Sequence, residues 1–191
     1  MYRVLMVLVM LTFACSAAQA GELEGIKVAD QITNANGTLL HLNGMGLREK
    51  LWFDIYVGSL YLATPSHDPD AVIGQQGPFR VRMDFLYHEI SAEQMASAWQ
   101  DDFQDNLSAD ALAKLNARIK RFESLFSGGV RKGDVFLVDY TPSQGTRVVK
   151  NGKLLGTIEG EDFKKALLAV WLGKEPADVD LKRGMLGGQG E

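Results

Sequence analysis

The residues of this chain that are best suited to chemistry lie around a strongly β-prone segment, residues 51–62 (LWFDIYVGSLYL). In an extended strand, alternate side chains share a face. One face then contains Trp52, Asp54, Tyr56, Gly58 and Leu60, and the other contains Leu51, Phe53, Ile55, Val57 and Tyr61. The first set combines aromatic rings with polar tips, which is typical of the wall of a ligand pocket. The second set is predicted to belong to the core.

Arg48 precedes this segment, in a loop predicted over residues 43–50, and could lean over the first face. Its guanidinium offers a planar fork of donors that matches a carboxylate, and the Tyr56 hydroxyl could add a third hydrogen bond. These two residues therefore predict a site for an acidic or anionic head group. The residues alone leave a structural alternative open, in which Arg48 pairs with Asp54 and Tyr56 is a hydrogen-bonded core tyrosine.

No strong catalytic motif accompanies these residues. The sequence contains no G-x-S-x-G elbow, no H-E-x-x-H pair and no P-loop. His41, His67 and His88 are far apart and no two have the spacing of metal ligands, so we expect them to be structural. We therefore predict no catalytic residue, no metal site and no cofactor.

The first twenty residues have the three parts of a secretory signal peptide. Arg3 supplies a positive start, residues 4–14 form an unbroken apolar run, and residues 18–20 (AQA) match a cleavage site. The run is shorter than the roughly 20 residues that span a bilayer. We predict cleavage, a periplasmic or secreted location, and a single mature domain over residues 21–191 without a membrane span. An uncleaved anchor and a lipoprotein signal at Cys15 are the alternatives.

Composition narrows the classes of partner. The formal net charge is −4 and no basic run occurs, which argues against nucleic-acid binding. Cys15 is the only cysteine, so removal of the signal peptide would leave a mature chain without thiol or disulfide chemistry. A chain of about 170 residues is long enough for one domain with a core of its own.

Hydrophobic periodicity predicts the elements that position these residues. Strands are expected within residues 26–43, 51–62, 80–87, 134–140, 146–150 and 153–158, and helices after Ser91, after Ser108 and over 161–172. Ser91 and Gln94 predict a capping box, and residues 67–78 predict a loop. The Asn-Gly pairs at 36–37 and 151–152 predict hairpin turns. Antiparallel hairpins with grouped helices favour an α+β fold over a parallel sheet.

Residues 43–48 (NGMGLR) and the segment after them begin a longer ordered set. The set continues with residues 82–87 (RMDFLY), 132–134 (KGD), 151–163 and 166–173 (ALLAVWLG). Each piece is short, but in this order they resemble the chalcone isomerase-like family, and most of all its bacterial exported branch. The resemblance covers nearly all of the predicted mature chain.

The resemblance implies a large antiparallel β-sheet covered on one face by helices, an open-faced sandwich with a ligand cleft between the two layers. In that family the arginine of the first motif anchors an anionic or phenolate oxygen, and Arg48 matches its position. In the fatty-acid-binding branch a tyrosine on the next strand shares the carboxylate, and Tyr56 is the best match. With Trp52, Tyr87 and Trp99, these two residues form the predicted ligand-binding set.

Departures from the family pattern predict that isomerase activity is absent. True chalcone isomerases carry a tyrosine and an asparagine on the helix after the 80–87 strand, where this chain has Ala92 and Trp99. Their late catalytic threonine has only Thr157 as an approximate counterpart. Without these groups, the phenolate and a bridging water lose the hydrogen bonds that position them.

Four functions follow as hypotheses. The first is an exported, non-catalytic protein that binds a small amphipathic acid, such as a fatty acid, through Arg48 and Tyr56. The second is an isomerase or lyase for an enone-like substrate, in which Arg48 stabilises an oxyanion. The third is a haem or cofactor carrier that uses His41 or His88. The fourth is a structural partner protein with an exposed apolar patch on its helices.

Overall fold

The computed structural model describes residues 20–188, so the predicted signal peptide, residues 1–20, lies outside this range apart from Ala20. Within the range there are eleven strands and five helices. The strands are β1 (Ala20–Leu23), β2 (Ile26–Ala29), β3 (Gln31–Thr33), β4 (Leu39–Lys50), β5 (Phe53–Leu62), β6 (Phe79–Phe85), β7 (Glu89–Ile90), β8 (Val130–Arg131), β9 (Val135–Thr141), β10 (Gly145–Lys150) and β11 (Lys153–Ile158). The helices are α1 (Pro69–Gly74), α2 (Ala92–Asn106), α3 (Ala109–Ser124), α4 (Glu161–Leu172) and α5 (Val179–Met185).

The central feature is a seven-stranded sheet with the order β11-β10-β9-β6-β5-β4-β3. Two further pairs, β1 with β2 and β7 with β8, stand apart from it. The strand pairs of the described chain are all antiparallel. The predicted α+β fold with an antiparallel sheet is therefore confirmed.

The main core lies between one face of this sheet and the helices. The sheet contributes Leu60, Val81, Met83, Phe136 and Val138, and the helices contribute Trp99, Phe103, Phe122, Phe163 and Trp171. On the other face, a smaller cluster contains Val28, Leu40 and Tyr61. Of the second alternating set of residues 51–62, predicted as core, Val57 and Tyr61 are buried, whereas Leu51 and Phe53 are exposed. Tyr56 and Leu60 of the first set belong to the main core.

Helices α2 and α3 begin where the sequence predicts. The Ser91 hydroxyl accepts from the Gln94 backbone N–H at 3.2 Å, and the Gln94 side chain accepts from the Ser91 N–H at 2.9 Å. Ser108 caps α3 by accepting from Ala111 N at 3.3 Å. These caps satisfy N–H groups that have no partner within the helix, so they fix the helix starts locally.

Residues 43–50, predicted as a loop, are instead the second half of β4. The glycines there admit α5 at very short range, because a Cβ atom on Gly46 would lie 2.7 Å from Leu181 Cα. Asn43 holds the same helix, since its side-chain amide donates to Met185 O at 2.8 Å. The motif that leads to Arg48 therefore builds a strand with a helix seated on it.

Helices α1 and α5 have no counterpart among the predicted elements. Both are short, and both begin at an aspartate side chain that accepts backbone N–H groups, Asp68 for α1 and Asp178 for α5. Helices of six and seven residues give too little periodicity for an apolar face to stand out. No helix within residues 20–188 has the length and apolarity required to cross a membrane.

Candidate functional site

Arg48 and Tyr56 lie directly opposite each other on β4 and β5. Cross-strand partners share a face of the sheet. The guanidinium carbon Cζ of Arg48 is 5.8 Å from the centroid of the Tyr56 ring, which is within the range of a cation–π contact. The structure thus brings together the two residues of the predicted head-group site, on the face beneath the helices.

The ionic partner of Arg48 is Asp102 of α2. Arg48 Nη2 lies 3.2 Å from Asp102 Oδ2 and 3.3 Å from Oδ1, and both side chains are mostly buried. The alternative pairing with Asp54 is wrong, because Asp54 is exposed and lies opposite Glu49. Asp102 contacts only the Nη2 nitrogen, so the guanidinium retains donors for a further acceptor.

Tyr56 is held by the helical layer. Trp171 Nε1 of α4 donates to the Tyr56 hydroxyl oxygen at 2.9 Å. Burial raises the pKa of Tyr56, although the Arg48 charge and the Trp171 hydrogen bond oppose this effect. The hydroxyl therefore stays protonated, and with its oxygen occupied by Trp171 it can donate its own hydrogen to a ligand.

Burial favours the neutral form of both members of the Arg48–Asp102 pair, but other interactions outweigh it only for Arg48. For Arg48, burial favours the neutral form, but the interactions with Tyr56 and Asp102 outweigh it and the pKa is raised. For Asp102, burial is the largest effect and raises the pKa of the carboxyl despite the opposing charge of Arg48. Arg48 is therefore a permanent cation, whereas Asp102 loses its charge more readily than an exposed aspartate.

A cleft of about 410 Å³ opens beside these residues, between α2 and the ends of β4, β5 and β6. This volume falls within the roughly 300–1,000 Å³ that is typical of small-molecule sites. Its apolar lining is Leu51, Phe53, Ile55, Tyr56, Phe85, Tyr87, Ile90, Met95, Ala98 and Trp99. Arg48, Lys50, Gln94, Ser97 and Asp101 supply its polar lining. The cleft therefore combines an apolar wall with a small number of polar groups.

Trp52 lies outside this cleft, contrary to the prediction from strict alternation. Arg48 pairs with Tyr56 and Glu49 pairs with Asp54, so Ile55 is an extra residue in β5 and forms a β-bulge. A bulge reverses the alternation of faces along the strand. As a result Phe53 lines the cleft, whereas Trp52 is 95% exposed at the hairpin turn.

Tyr87 and Trp99 both line the cleft, as the predicted ligand-binding set requires of them. Tyr87 is half-buried and contacts Phe53 edge-on, with ring centroids 5.4 Å apart. Trp99 is buried, and its indole Nε1 has no hydrogen-bond partner within the described part of the chain. A buried N–H without an acceptor is costly, so an acceptor on a ligand would stabilise this arrangement.

The histidines of the carrier hypothesis, and Ala92 and Thr157, lie outside the lining of the cleft. His41, His67 and His88 are absent from the lining of the cleft, and no metal-binding group of three or more His, Cys, Asp or Glu occurs within residues 20–188. Thr157 is exposed on β11, at the opposite edge of the seven-stranded sheet. Ala92 also lies outside the lining. Of the residues named for these two hypotheses, Arg48 lies in the cleft, whereas the three histidines and Thr157 lie outside its lining.

The family of this chain follows from its match to a family model. Residues 20–187 match the family model described as chalcone isomerase-like. The chain belongs to the chalcone isomerase-like family. No curated protein sequence matches it. Among solved structures, it is similar to the crystal structure of the Arabidopsis thaliana fatty-acid binding protein AtFAP1, with a TM-score of 0.69 and 16% identity over 88% of this chain and 96% of that one. At this identity the similarity shows the fold.

Two residues of this chalcone isomerase-like site do not appear in the predicted set, Asp102 and Trp171. The signal for Asp102 is present in the sequence, because an acidic residue lies among Met95, Trp99 and Phe103 on the apolar face of a predicted helix. Such a carboxylate requires a buried cation. Trp171 gives no comparable signal, since an indole on an apolar helix face is ordinary core.

Proposed function

We propose that this protein binds a small amphipathic molecule with an acceptor-bearing head group, such as a fatty acid, and does not transform it. The observation that carries the proposal is the pairing of Arg48 with Tyr56 at the edge of an apolar cleft. The fatty-acid binding protein with a similar fold supports it at the level of ligand class.

The hydrogen-bond donors at the cleft determine which kind of head group the site favours. The Arg48 guanidinium, the Tyr56 hydroxyl and the unpaired Trp99 Nε1 all offer hydrogen, so the site favours a carboxylate or another oxygen acceptor. Because Tyr56 is 2% exposed and Phe53 is 54% exposed, the cleft runs from a buried end to an open one. The apolar part of the ligand would lie against Phe53, Tyr87 and the other apolar side chains of the lining.

Asp102 sets the strength of binding. It already neutralises Arg48, so a ligand carboxylate would meet a site whose charge is balanced. The ligand must therefore gain much of its affinity from apolar burial, at roughly 25 cal/mol per Å² removed from water. This balance favours long apolar tails over short acids.

Titration of the protein with a long-chain fatty acid by calorimetry, and native mass spectrometry of the purified protein, test the proposal. We expect Arg48→Ala to weaken binding by at least about tenfold, or 1.4 kcal/mol. That change leaves the buried Asp102 carboxylate without its partner, which could itself disturb the fold. The double variant Arg48→Ala/Asp102→Ala contains no such unpaired charge, and it should show the same loss of affinity. Arg118→Ala, which removes an ion pair with Asp162 away from the cleft, is the matched control. Absence of fatty-acid binding in the wild-type protein would contradict the proposal.

We also propose that the protein works outside the cytoplasm, after removal of its signal peptide. The support is the arrangement of residues 1–20, with a positive start, an apolar run and a small-residue end. N-terminal sequencing of the protein from a periplasmic fraction should begin at Gly21. An intact Met1 in cytoplasmic extract only would contradict this location.

A further inference from the structure

Three consecutive large apolar side chains are exposed at the tip of the β4–β5 hairpin, residues 51–53, which we call the apolar tip. Leu51 is 77% exposed, Trp52 is 95% exposed and Phe53 is 54% exposed. The other exposed large apolar residues of the described chain are dispersed: Leu39, Leu154 and Val179. The apolar tip is therefore the densest exposed apolar feature within residues 20–188.

The backbone of the apolar tip is also unfavourable. Leu51 and Trp52 have φ angles of 50° and 72°, and Lys50 pairs with Phe53 across the turn. A two-residue hairpin turn with positive φ at both positions favours Asn-Gly, because bulky side chains are strained in the left-handed region. Strain of this kind persists where the surrounding structure or the function requires it.

The second hairpin of the same sheet shows the usual solution. Between Lys150 and Lys153, the turn residues are Asn151 and Gly152, with φ angles of 49° and 81°. The two turns thus share a backbone geometry, and only one of them carries exposed leucine and tryptophan. The apolar residues at position 51 and position 52 are therefore not required by the geometry of the turn.

The apolar tip is continuous with the cleft. Leu51 and Phe53, at the end of the hairpin, form part of the lining of the cleft, whereas Trp52 lies outside it and is exposed. An apolar path thus leads from Tyr87 and Ile90 inside the cleft to solvent at the turn. A hydrophobic surface that abuts the tip would be in contact with the mouth of the cleft.

Charges of both signs surround the apolar tip. Lys50 and Lys132 lie near it, and so do Glu24, Glu49 and Asp54. Such a mixture gives no net attraction to an anionic surface. Association at this tip would be driven by the insertion of apolar side chains.

We propose that the apolar tip inserts into a lipid bilayer and places the mouth of the cleft against the membrane, where an amphipathic ligand enters or leaves. This inference rests on the proposed function for the ligand, although the docking itself can be tested separately. A lipid surface fits better than a protein partner because the feature is a protruding three-residue turn, whereas stable protein interfaces are broad and bury about 800 Å² per partner. Tryptophan is also the residue enriched at membrane–water interfaces.

The full chain carries its own reporter for this proposal. It contains three tryptophans, and Trp99 and Trp171 are buried, so an exposed indole is present only at Trp52. Mixed with phosphatidylcholine vesicles whose acyl chains are brominated, the wild-type protein should show a blue shift and a loss of emission from Trp52. The effect should change little with salt concentration, because phosphatidylcholine carries no net charge.

Two variants make the test specific. Trp52→Gly should bind vesicles about tenfold more weakly in sedimentation, since one large apolar side chain no longer inserts. It should unfold at a temperature at least as high as the wild type, because glycine relieves the positive φ. In Trp52→Gly/Gly152→Trp, the transplanted indole stands on the other hairpin and should not be quenched. Residues 4–14 are present in all of these chains, so any vesicle binding through them contributes equally to each measurement.

The outcomes separate docking from ligand binding. Quenching that persists in Arg48→Ala, which cannot hold the head group, supports docking whatever the fate of the proposed function. Unchanged Trp52 emission with vesicles overturns docking. Equal quenching of the transplanted indole also overturns it, as does self-association that Trp52→Gly abolishes in the absence of lipid.

Discussion

Trp171 Nε1 donates a 2.9 Å hydrogen bond to the hydroxyl oxygen of Tyr56, and both side chains are buried. The bond joins α4 to the central sheet at the closed end of the cleft. It occupies the phenolic oxygen and leaves the phenolic hydrogen free to donate. A tyrosine of the core is thereby left with a hydrogen that it can donate to an acceptor.

Tyr56→Phe should weaken fatty-acid binding several-fold and lower stability. The variant removes one donor to the ligand and leaves the Trp171 N–H buried without an acceptor, which costs about 1–3 kcal/mol. Calorimetry gives the affinity, and urea unfolding gives the free energy of unfolding. Tyr61→Phe is the control, because Tyr61 donates at 2.9 Å to Ala29 O on the other face of the sheet. That variant should lose stability and keep its affinity; equal affinity losses in both would argue against a role for Tyr56.

Asp102→Asn should strengthen the binding of carboxylates, by about tenfold or 1.4 kcal/mol. The change keeps the size of the side chain and removes the negative charge that lies 3.2 Å from Arg48 Nη2. The uncompensated guanidinium then attracts a ligand carboxylate more strongly, while the ligand-free protein becomes less stable because a buried cation has lost its partner. Asp101→Asn, at an exposed position of the cleft lining, should change the affinity less. Weaker binding in Asp102→Asn would show that Asp102 serves the ligand in another way.

Binding of an alkyl sulfonate, which stays ionised, should strengthen as the pH falls from about 7 towards 4. Burial raises the pKa of Asp102, so its carboxyl takes up a proton at a higher pH than an exposed aspartate does, while Arg48 stays charged. The free energy of unfolding should change in the same direction. The folded state holds the Asp102 proton more tightly than the unfolded state does, so the protein loses stability as the pH rises and Asp102 ionises. In Asp102→Asn the pH dependence should flatten. A dependence that survives in this variant would contradict its assignment to Asp102.

Gly46→Ala should destabilise the protein by about 1–3 kcal/mol or more. The added Cβ would lie 2.7 Å from the Cα atom of Leu181, so α5 must move away from β4. Gly74→Ala is the matched control, since a Cβ there meets no heavy atom within 4 Å. Chemical unfolding of the two variants measures the difference. Comparable stabilities would mean that α5 adjusts freely to the added methyl.

The parts of the fold that depend on local chemistry could be predicted from the sequence. Ser91 and Gln94 form their capping box within four residues of chain, and Asn151 with Gly152 has the positive φ angles that this dipeptide favours. The antiparallel arrangement follows because hairpins bring neighbouring strands together. The proximity of Arg48 and Tyr56 is predicted with Arg48 in a loop, and the structure produces it by pairing β4 with β5.

The predictions from sequence are wrong where an element far away in the chain, or the register of a strand, determines the local structure. Residues 43–50 look like a loop because of their glycines, but those glycines make room for α5, more than a hundred residues later in the chain. Trp52 leaves the cleft because a single bulge at Ile55 reverses the faces of the strand. The Asp102 carboxylate replaces Asp54 as the partner of Arg48 because α2 packs over the sheet at that point.

The sequence by itself therefore determined the α+β class, the capped helices and the family. Each of these depends on short-range hydrogen bonds, on side-chain periodicity or on an ordered set of motifs. Only the tertiary structure decided which groups complete the site, Asp102 and Trp171, and which residue stands outside it, Trp52. These outcomes depend on the register of a strand and on helix packing, where a shift of one residue exchanges buried and exposed side chains.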